Sequence, residues 1–593
     1  MAQDKNTKNY PAPDRLNKLR DEFLDLKISG FIVPRTDEHQ GEYVAPYSER
    51  LAWLTGFTGS AGFAIVLEKK AAIFVDGRYT LQAELEVPAI LFDHRTLSKN
   101  SYTDWISKNT KPGMILGYDP WLMTPSQIIN YRVACKKSMV SLKPIHKNPI
   151  DTIWIDRPAP PSSPIFIHDI SFAGQPIMNK FQQISDELKK EKIDAVVITT
   201  PDSIAWLLNI RGSDVPFTPI TLAFAIFYVD QNIDLFVDQK KISPAILKHL
   251  GPNVRCHEPK AFSSILDTLD KKSVLLDQET VPIYVHHRLE ATGANIQAGP
   301  DPCQLPKAIK TSIQLDGIRA AHIRDGASLT RFLAWLDENA DKESITENSA
   351  AKTLEAMRLN NKNFKGLSFP TISGSGPNGA IVHYSVNKNS DRLLKKGDLY
   401  LVDSGAQYLD GTTDVTRTVA IGIPTKNMMR HFTLVLKGHI AIATARFPKG
   451  TCGSQLDTLA RQALWTEGLD YEHGTGHGVG HFLGVHEGPH RISKSPNNVI
   501  LKPGMIISNE PGYYKAGCYG IRIENLVCVM TGTSLHFETL TLAPIDRALI
   551  NIELLEKSEI DWINSYHAKV LDKISPLVDK KTQTWLLKAT VNL

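Results

Sequence analysis

Five side chains of the kind that hold metals, Asp403, Asp414, His477, Glu510 and Glu524, sit in short strand or turn phrases of one C-terminal stretch. The phrases are LYLVDSG, DGTTDVTRT, HGTGHGVG, ISNEPGYY and GIRIEN. Four carboxylates and an imidazole among apolar strands carry more charge than a buried sheet tolerates unless cations neutralise it. Two divalent ions balance four carboxylates, and paired metals activate a bridging water for hydrolysis. The fold must therefore bring phrases distant in the chain to one place, around a dinuclear metal centre.

Each phrase has a local reading. LYLVDSGAQYLDGTTDVTRTVAIG predicts a β-hairpin: two apolar or Thr/Val-rich runs flank Asp410-Gly411, a strong turn signal. Asp403 and Asp414 can then converge from neighbouring strands, although either aspartate alone also suits a turn or a solvent face. His473 and His477 are four apart, as in zinc-binding helices. Gly474, Gly476, Gly478 and Gly480 argue against a helix, and favour backbone that approaches a metal or substrate closely. Glu510 ends an apolar run that Pro511-Gly512 must turn. Glu524 is expected inside a strand, on the same pleat face as Arg522 and Leu526, where a simple salt bridge is the competing reading.

The front half repeats itself. ERLAWLTGFTGSAG (Trp53) and DSIAWLLNIRGSDV (Trp206) share AWL and a Gly-Ser pair at identical spacing, and each precedes an apolar run ending in FVD. A strand–turn–strand pattern recurring at this offset predicts duplicated domains. Around both copies helical stretches alternate with short β-branched runs, the mark of α/β architecture. The Pro-rich segment 156–166 reads as a linker, and a second boundary is expected near residues 302–308.

At 593 residues the chain exceeds one core. Its 67 basic and 63 acidic residues leave a net charge of only +4 without a dense basic run, so neither nucleic acid nor a membrane surface is the expected partner. The opening MAQDKNTKNYPAPDR lacks the apolar stretch of an export signal, and the most apolar window, 220–229, is half a bilayer span and reads as a buried strand. Six scattered cysteines without a CxxC pair indicate neither a zinc knuckle nor a disulfide framework. The expected compartment is the cytoplasm.

In their order and spacing these phrases resemble the pita-bread metallopeptidase family. FPTISGSGPNGAIVHY, VDSGAQYLDGTTDVTRT, HGTGHGVGHFLGVHEGP and NEPGYY are similar to those of its Xaa-Pro aminopeptidases, the aminopeptidase P group in its three-domain cytosolic form. The resemblance implies an α/β (α+β) fold with two creatinase-N-like α/β domains, 1–157 and 158–313. A pita-bread catalytic domain with a helical extension would follow over 314–593. It also implies a homodimer that releases the first residue of peptides with proline at position two. Asp403 would chelate one metal, Asp414 and Glu524 would bridge both, and His477 and Glu510 would complete the second. A metal-activated water would be the nucleophile, with Glu510 the proton shuttle. His383 and His486 would contact the scissile peptide, His473 would line the same pocket, and Arg78 of VDGRY would reach the substrate. Arg522 would orient carboxylates. Oxygen-rich donors with one imidazole favour two Mn²⁺ by hardness, with Zn²⁺ or Co²⁺ as alternatives. His481 has no assigned role.

Two rival readings remain at this level. A prolidase would cleave only Xaa-Pro dipeptides, which the two duplicated front domains argue against. A non-catalytic pita-bread module would recognise peptide tails, but should have lost ligands, whereas all five positions are filled. Creatinase-like chemistry does not require this full carboxylate set.

Overall fold

The computed structural model describes residues 13–98, 101–342 and 344–593. The polar opening stretch, read above as no export signal, falls through Ala12 outside them. The chain forms two compact units: Met1–Ile167, Pro176–Pro216 and Ile220–Cys303 make one, and His168–Gln175, Phe217–Pro219 and Gln304–Leu593 the other.

The first unit contains two six-stranded sheets of the same design. One runs Asp93–Thr96, Ala71–Val75, Gly62–Leu67, Gly30–Pro34, Ile115–Tyr118, Ser141–Pro144. The other runs Val254–His257, Ile233–Phe236, Phe224–Tyr228, Ala195–Ile198, Ser273–Leu276, Asn295–Ala298. In each, the first strand in sequence pairs antiparallel with one neighbour and parallel with the other. Alternate residues feed opposite faces, as the two-residue period requires. Phe31, Val33, Ile73 and Val75 pack in one cluster, while Ile32, Ala72 and Phe74 pack in another. The duplication expected from the repeated phrases is thus a duplication of topology. The AWL tripeptides themselves are helical, in Arg50–Thr55 and Pro201–Leu207, rather than part of a strand–turn–strand unit. Burial of Leu51 and Leu54 in the first helix, and of every residue but Asp202 in the second, overrides the strand reading.

The second unit contains a 28-residue helix, Ser312–Asn339. A reciprocal cap starts it: Gln314 N donates to Thr311 Oγ1 and Thr311 N to Gln314 Oε1. Behind it lie a three-stranded sheet (Ile372–Ser375, Leu399–Ser404, Val415–Ala420) and a six-stranded one. The latter is ordered Arg446–Phe447, Leu535–Thr539, Asn525–Met530, Ile506–Asn509, Gly476–Gly478, Glu487–Ile492. Helices Lys426–Ala443 and Lys557–Ile574 supply Phe432, Leu436, Ile440, Ile563 and Val570 to one core with Ile521 and Ile523. Each such fully buried side chain contributes about 1.5–3 kcal/mol. The terminal helices expected from the tail's periodicity are present, as Lys557–Ile574 and Lys580–Ala589.

Candidate metal centre

All five ligand candidates lie at or beside ends of strands in the second unit. Asp403 is the penultimate residue of Leu399–Ser404, paired across the ladder with Thr416. Asp414 immediately precedes Val415–Ala420, His477 is the middle of Gly476–Gly478, and Glu510 follows Ile506–Asn509. Glu524 was expected inside a strand. The structure instead places Ile523 and Glu524 at the break between Tyr519–Arg522 and Asn525–Met530, which belong to different sheets. There Glu524 N donates to Thr416 O at 3.1 Å, so the chain leaves one ladder to dock on another and turns a ligand towards both sheets.

The glycines beside His477 are needed for close approach. A Cβ on Gly476 would lie 2.0 Å from Ser508 O, and one on Gly478 would lie 2.2 Å from Glu487 O. The absence of side chains lets His477 sit between the strands that carry Glu510 and His486.

Ligand atoms of Asp414, His477 and Glu524 lie within 4.8 Å of one another. His477 Nε2 is 3.6 Å from Asp414 Oδ2 and 3.5 Å from Glu510 Oε1. Its Nδ1 is 3.0 Å from the Gly478 carbonyl, which can only accept, so Nδ1 carries the proton and Nε2 presents a lone pair. Asp403 Oδ1, Asp414 Oδ1 and Glu524 Oε1 are buried and accept no hydrogen bond among the described residues. Burial, and then Asp403 and Glu510, drive the Asp414 carboxyl well above its usual range. Burial, and then Asp414, Asp403 and Glu510, do the same to Glu524. Glu510 is pushed up to about 7, chiefly by burial and then by Asp403, against the pull of Arg522 and His486. Orphaned oxygens, crowded acids and a lone pair aimed among them fit two divalent cations, with oxygen the dominant donor.

Around these acids runs a support network. Arg522 donates to Asp403 Oδ2 at 2.6 Å, to Tyr514 OH at 2.7 Å and to Thr416 Oγ1 at 3.1 Å. Thr416 in turn donates to Glu524 Oε2 at 2.9 Å. Tyr514 OH is 2.8 Å from His473 Nε2, and His473 Nδ1 is 2.8 Å from the Gly474 carbonyl, so hydrogen bonds at both nitrogens fix the ring. Ser508 Oγ donates to Glu510 Oε1 and accepts from His477 N. Thr416, Ser508 and Tyr514 all lie in the diagnostic phrases, yet nothing in their local pattern marks them out from ordinary strand residues.

The remaining candidates occupy distinct places. The ring of His486 meets that of His477 edge-on, with centroids 4.4 Å apart. His383 is half-buried on a separate turn after Gly376–Ala380. The next residue, Tyr384, anchors that turn by donating to the buried Glu347 carboxylate at 2.8 Å. His481 is buried, with its ring centroid 5.6 Å from that of His168. Arg78 belongs to the first unit, where it pairs with Asp76 at 2.6 Å.

Comparison with known proteins covers nearly the whole chain. A model of metallopeptidase family M24 matches residues 316–531, and one of the C-terminal region of that peptidase matches 533–593. Two models of the creatinase/prolidase N-terminal domain match 15–149 and 156–314. A probable Xaa-Pro aminopeptidase P of Laccaria bicolor is 41% identical over 594 residues, 97% of this chain and 92% of its own. One of Aspergillus niger is 39% identical over 606 residues, 97% of this chain and 98% of its own. The crystal structure of X-prolyl aminopeptidase from Caenorhabditis elegans, described as a cytosolic enzyme with a di-nuclear active site, superposes with a TM-score of 0.93 at 34% identity. It covers 98% of this chain and 99% of its own.

Proposed function

Since the chain belongs to metallopeptidase family M24, and within it to the Xaa-Pro aminopeptidase P group, we propose that it hydrolyses the first peptide bond of peptides with proline second. The observation that carries this reading is the convergence of Asp403, Asp414, His477, Glu510 and Glu524 with three buried carboxylate oxygens left unpaired. Asp403 would hold one cation, Asp414 and Glu524 both, and His477 with Glu510 the second. Two divalent cations held there polarise a carbonyl and make water nucleophilic at neutral pH. The hard oxygen donors favour Mn²⁺ over Zn²⁺ or Co²⁺, which elemental analysis of purified protein would decide.

The side chains supply the rest. A bond before proline is a tertiary amide without N–H, so recognition falls on its carbonyl and on groups that manage protons. Glu510 would take a proton from the attacking water and return it to the departing proline nitrogen. His486 and His383 bind the scissile carbonyl as its oxygen gains charge, and His473 lines the same pocket. Arg522 holds Asp403 in place through its 2.6 Å pair and, by way of Thr416, orients Glu524. On the resemblance alone, Arg78 of domain 1–157 would be a substrate contact, 158–313 the second front domain and 314–593 the catalytic one.

We further place the enzyme in the cytoplasm as a homodimer, on its similarity to the Xaa-Pro aminopeptidases; among the described residues no helix is long and apolar enough to cross a membrane. The test is turnover by chelator-stripped protein reloaded with Mn²⁺, on Arg-Pro-Pro, Arg-Pro and Arg-Ala-Ala. Cleavage of the first alone, or well above the second, supports the aminopeptidase. An intact Arg-Pro-Pro ends the proposal, and preference for Arg-Pro makes the chain a prolidase.

A further inference from the structure

His486 stands between two buried neighbours. Val485 is 1% exposed and the Glu487 side chain 1% exposed, while His486 itself faces the site. Its orientation is therefore set by what holds residues 485 and 487. Glu487 is the hub of an ion cluster: Lys307 Nζ donates to Oε2 at 3.1 Å and Lys310 Nζ to Oε1 at 2.6 Å. Both lysines are buried as deeply as the acid, at 3% and 0% side-chain exposure. Burial alone would raise the Glu487 carboxyl, but the two ammonium groups outweigh it and hold the group at about 2.

The lysines are themselves fixed to the sheet. Lys310 N donates to Gly504 O, Gly504 N to Val529 O, and Ile309 bridges Met505. On the other side the main chain of Glu487 pairs with Gly478, the residue after the metal-ligand candidate His477, at an irregularity in the ladder. The cluster thus ties a carboxylate one residue from His486 to a platform beneath the six-stranded sheet. The same residue's backbone sets the separation of the His486 and His477 rings.

Two buried cations on one anion are a poor way to gain stability, because the desolvation of three charges with a net +1 is repaid only in part by the pairing. What the arrangement does provide is direction: donors on both oxygens leave the Glu487 side chain one rotamer. We propose that Lys307 and Lys310, acting through Glu487, are positioning residues that hold His486 against the scissile carbonyl. This rests on the role given to His486 above.

The test is a double-mutant cycle of Lys310→Met with His486→Ala in the Mn²⁺-loaded enzyme, on Arg-Pro-Pro. Lys310→Met leaves a neutral Lys307–Glu487 pair, so the fold and two metals per chain should persist. Its kcat should fall about 10- to 100-fold, the scale of a small misplacement of a catalytic group, with KM changed less than about threefold. In the His486→Ala background the same substitution should cost less than about twofold, since the group it positions is gone. If Lys310→Met yields no folded protein, Lys307→Met carries the same cycle. Wild-type kcat in the lysine variant overturns the proposal, as does an equal loss in both backgrounds. Wild-type kcat in His486→Ala alone would remove the role of His486 on which the proposal rests.

Discussion

Replacing Glu510 by glutamine should stabilise the metal-free enzyme while abolishing its function. In the metal-free fold the Glu510 carboxyl is raised from 4.5 to about 7. A raised acid binds its proton more tightly in the folded than in the unfolded chain. Its contribution to stability is therefore complete below about pH 4.5 and is lost as pH climbs through 7. By pH 8 the rise amounts to about 3 kcal/mol at 1.36 kcal/mol per pH unit, an upper bound because the side chain keeps 18% exposure. Glutamine escapes the loss, retains an oxygen for Ser508, and relieves the repulsion from Asp403. Differential scanning calorimetry of chelator-treated proteins should show the Glu510→Gln variant melting up to about 5 °C above the parent at pH 8, and within about 1 °C at pH 5. Burial pulls His439, His490 and His567 down to about 3, 4 and 4, which destabilises the fold as pH falls below 6.5. That effect is common to both proteins and cancels in the difference. Saturating Mn²⁺ should reverse the order, because it binds the parent's carboxylate and stabilises whichever fold it occupies. Melting curves that coincide at pH 8, or that differ equally at pH 5 and pH 8, would refute the account of a charge-crowded site waiting for cations.

Three further substitutions probe the centre and its supports. Asp414→Asn should lose metal and peptidase activity together, measured by elemental analysis and Arg-Pro-Pro turnover; retained metal with lost activity would contradict its bridging role. Tyr514→Phe cuts the hydrogen bonds from Arg522 and to His473 without touching a ligand, so kcat should fall roughly tenfold with both metals retained. Arg417→Met should lower stability by at least about 3 kcal/mol in urea titrations. That buried guanidinium donates to Pro544 O, Thr416 O, Glu524 O, Ala543 O, Asn525 Oδ1 and Tyr566 OH, and its loss leaves several acceptors bare.

The division between what could be read from the sequence and what could not follows the range of the interactions. Asp403, Asp414, His477, Glu510 and Glu524 were legible as candidates because metal-type donors concentrate in short phrases whose turns and glycines are local, and the duplicated sheets because their repeats are. The strand break at Glu524 was not: the phrase GIRIEN reads as one continuous strand, whereas Glu524 bonds to Thr416, 108 residues away, through both its backbone N and its carboxylate. Arg417 gave no signal either, since nothing in DVTRT marks its arginine as buried, while Tyr566 of the helical extension that it binds lies 149 residues on. Lys307 and Lys310 run further against expectation. Lysines in a polar connecting segment are ordinarily solvated, and these are buried only because Glu487, 180 residues later than Lys307, is brought beneath them. Ligands are chosen by chemistry that a phrase displays, whereas the groups that aim them are chosen by a tertiary neighbour. Of those groups the phrases disclosed Arg522, because it shares the strand phrase of Glu524, and none of the others.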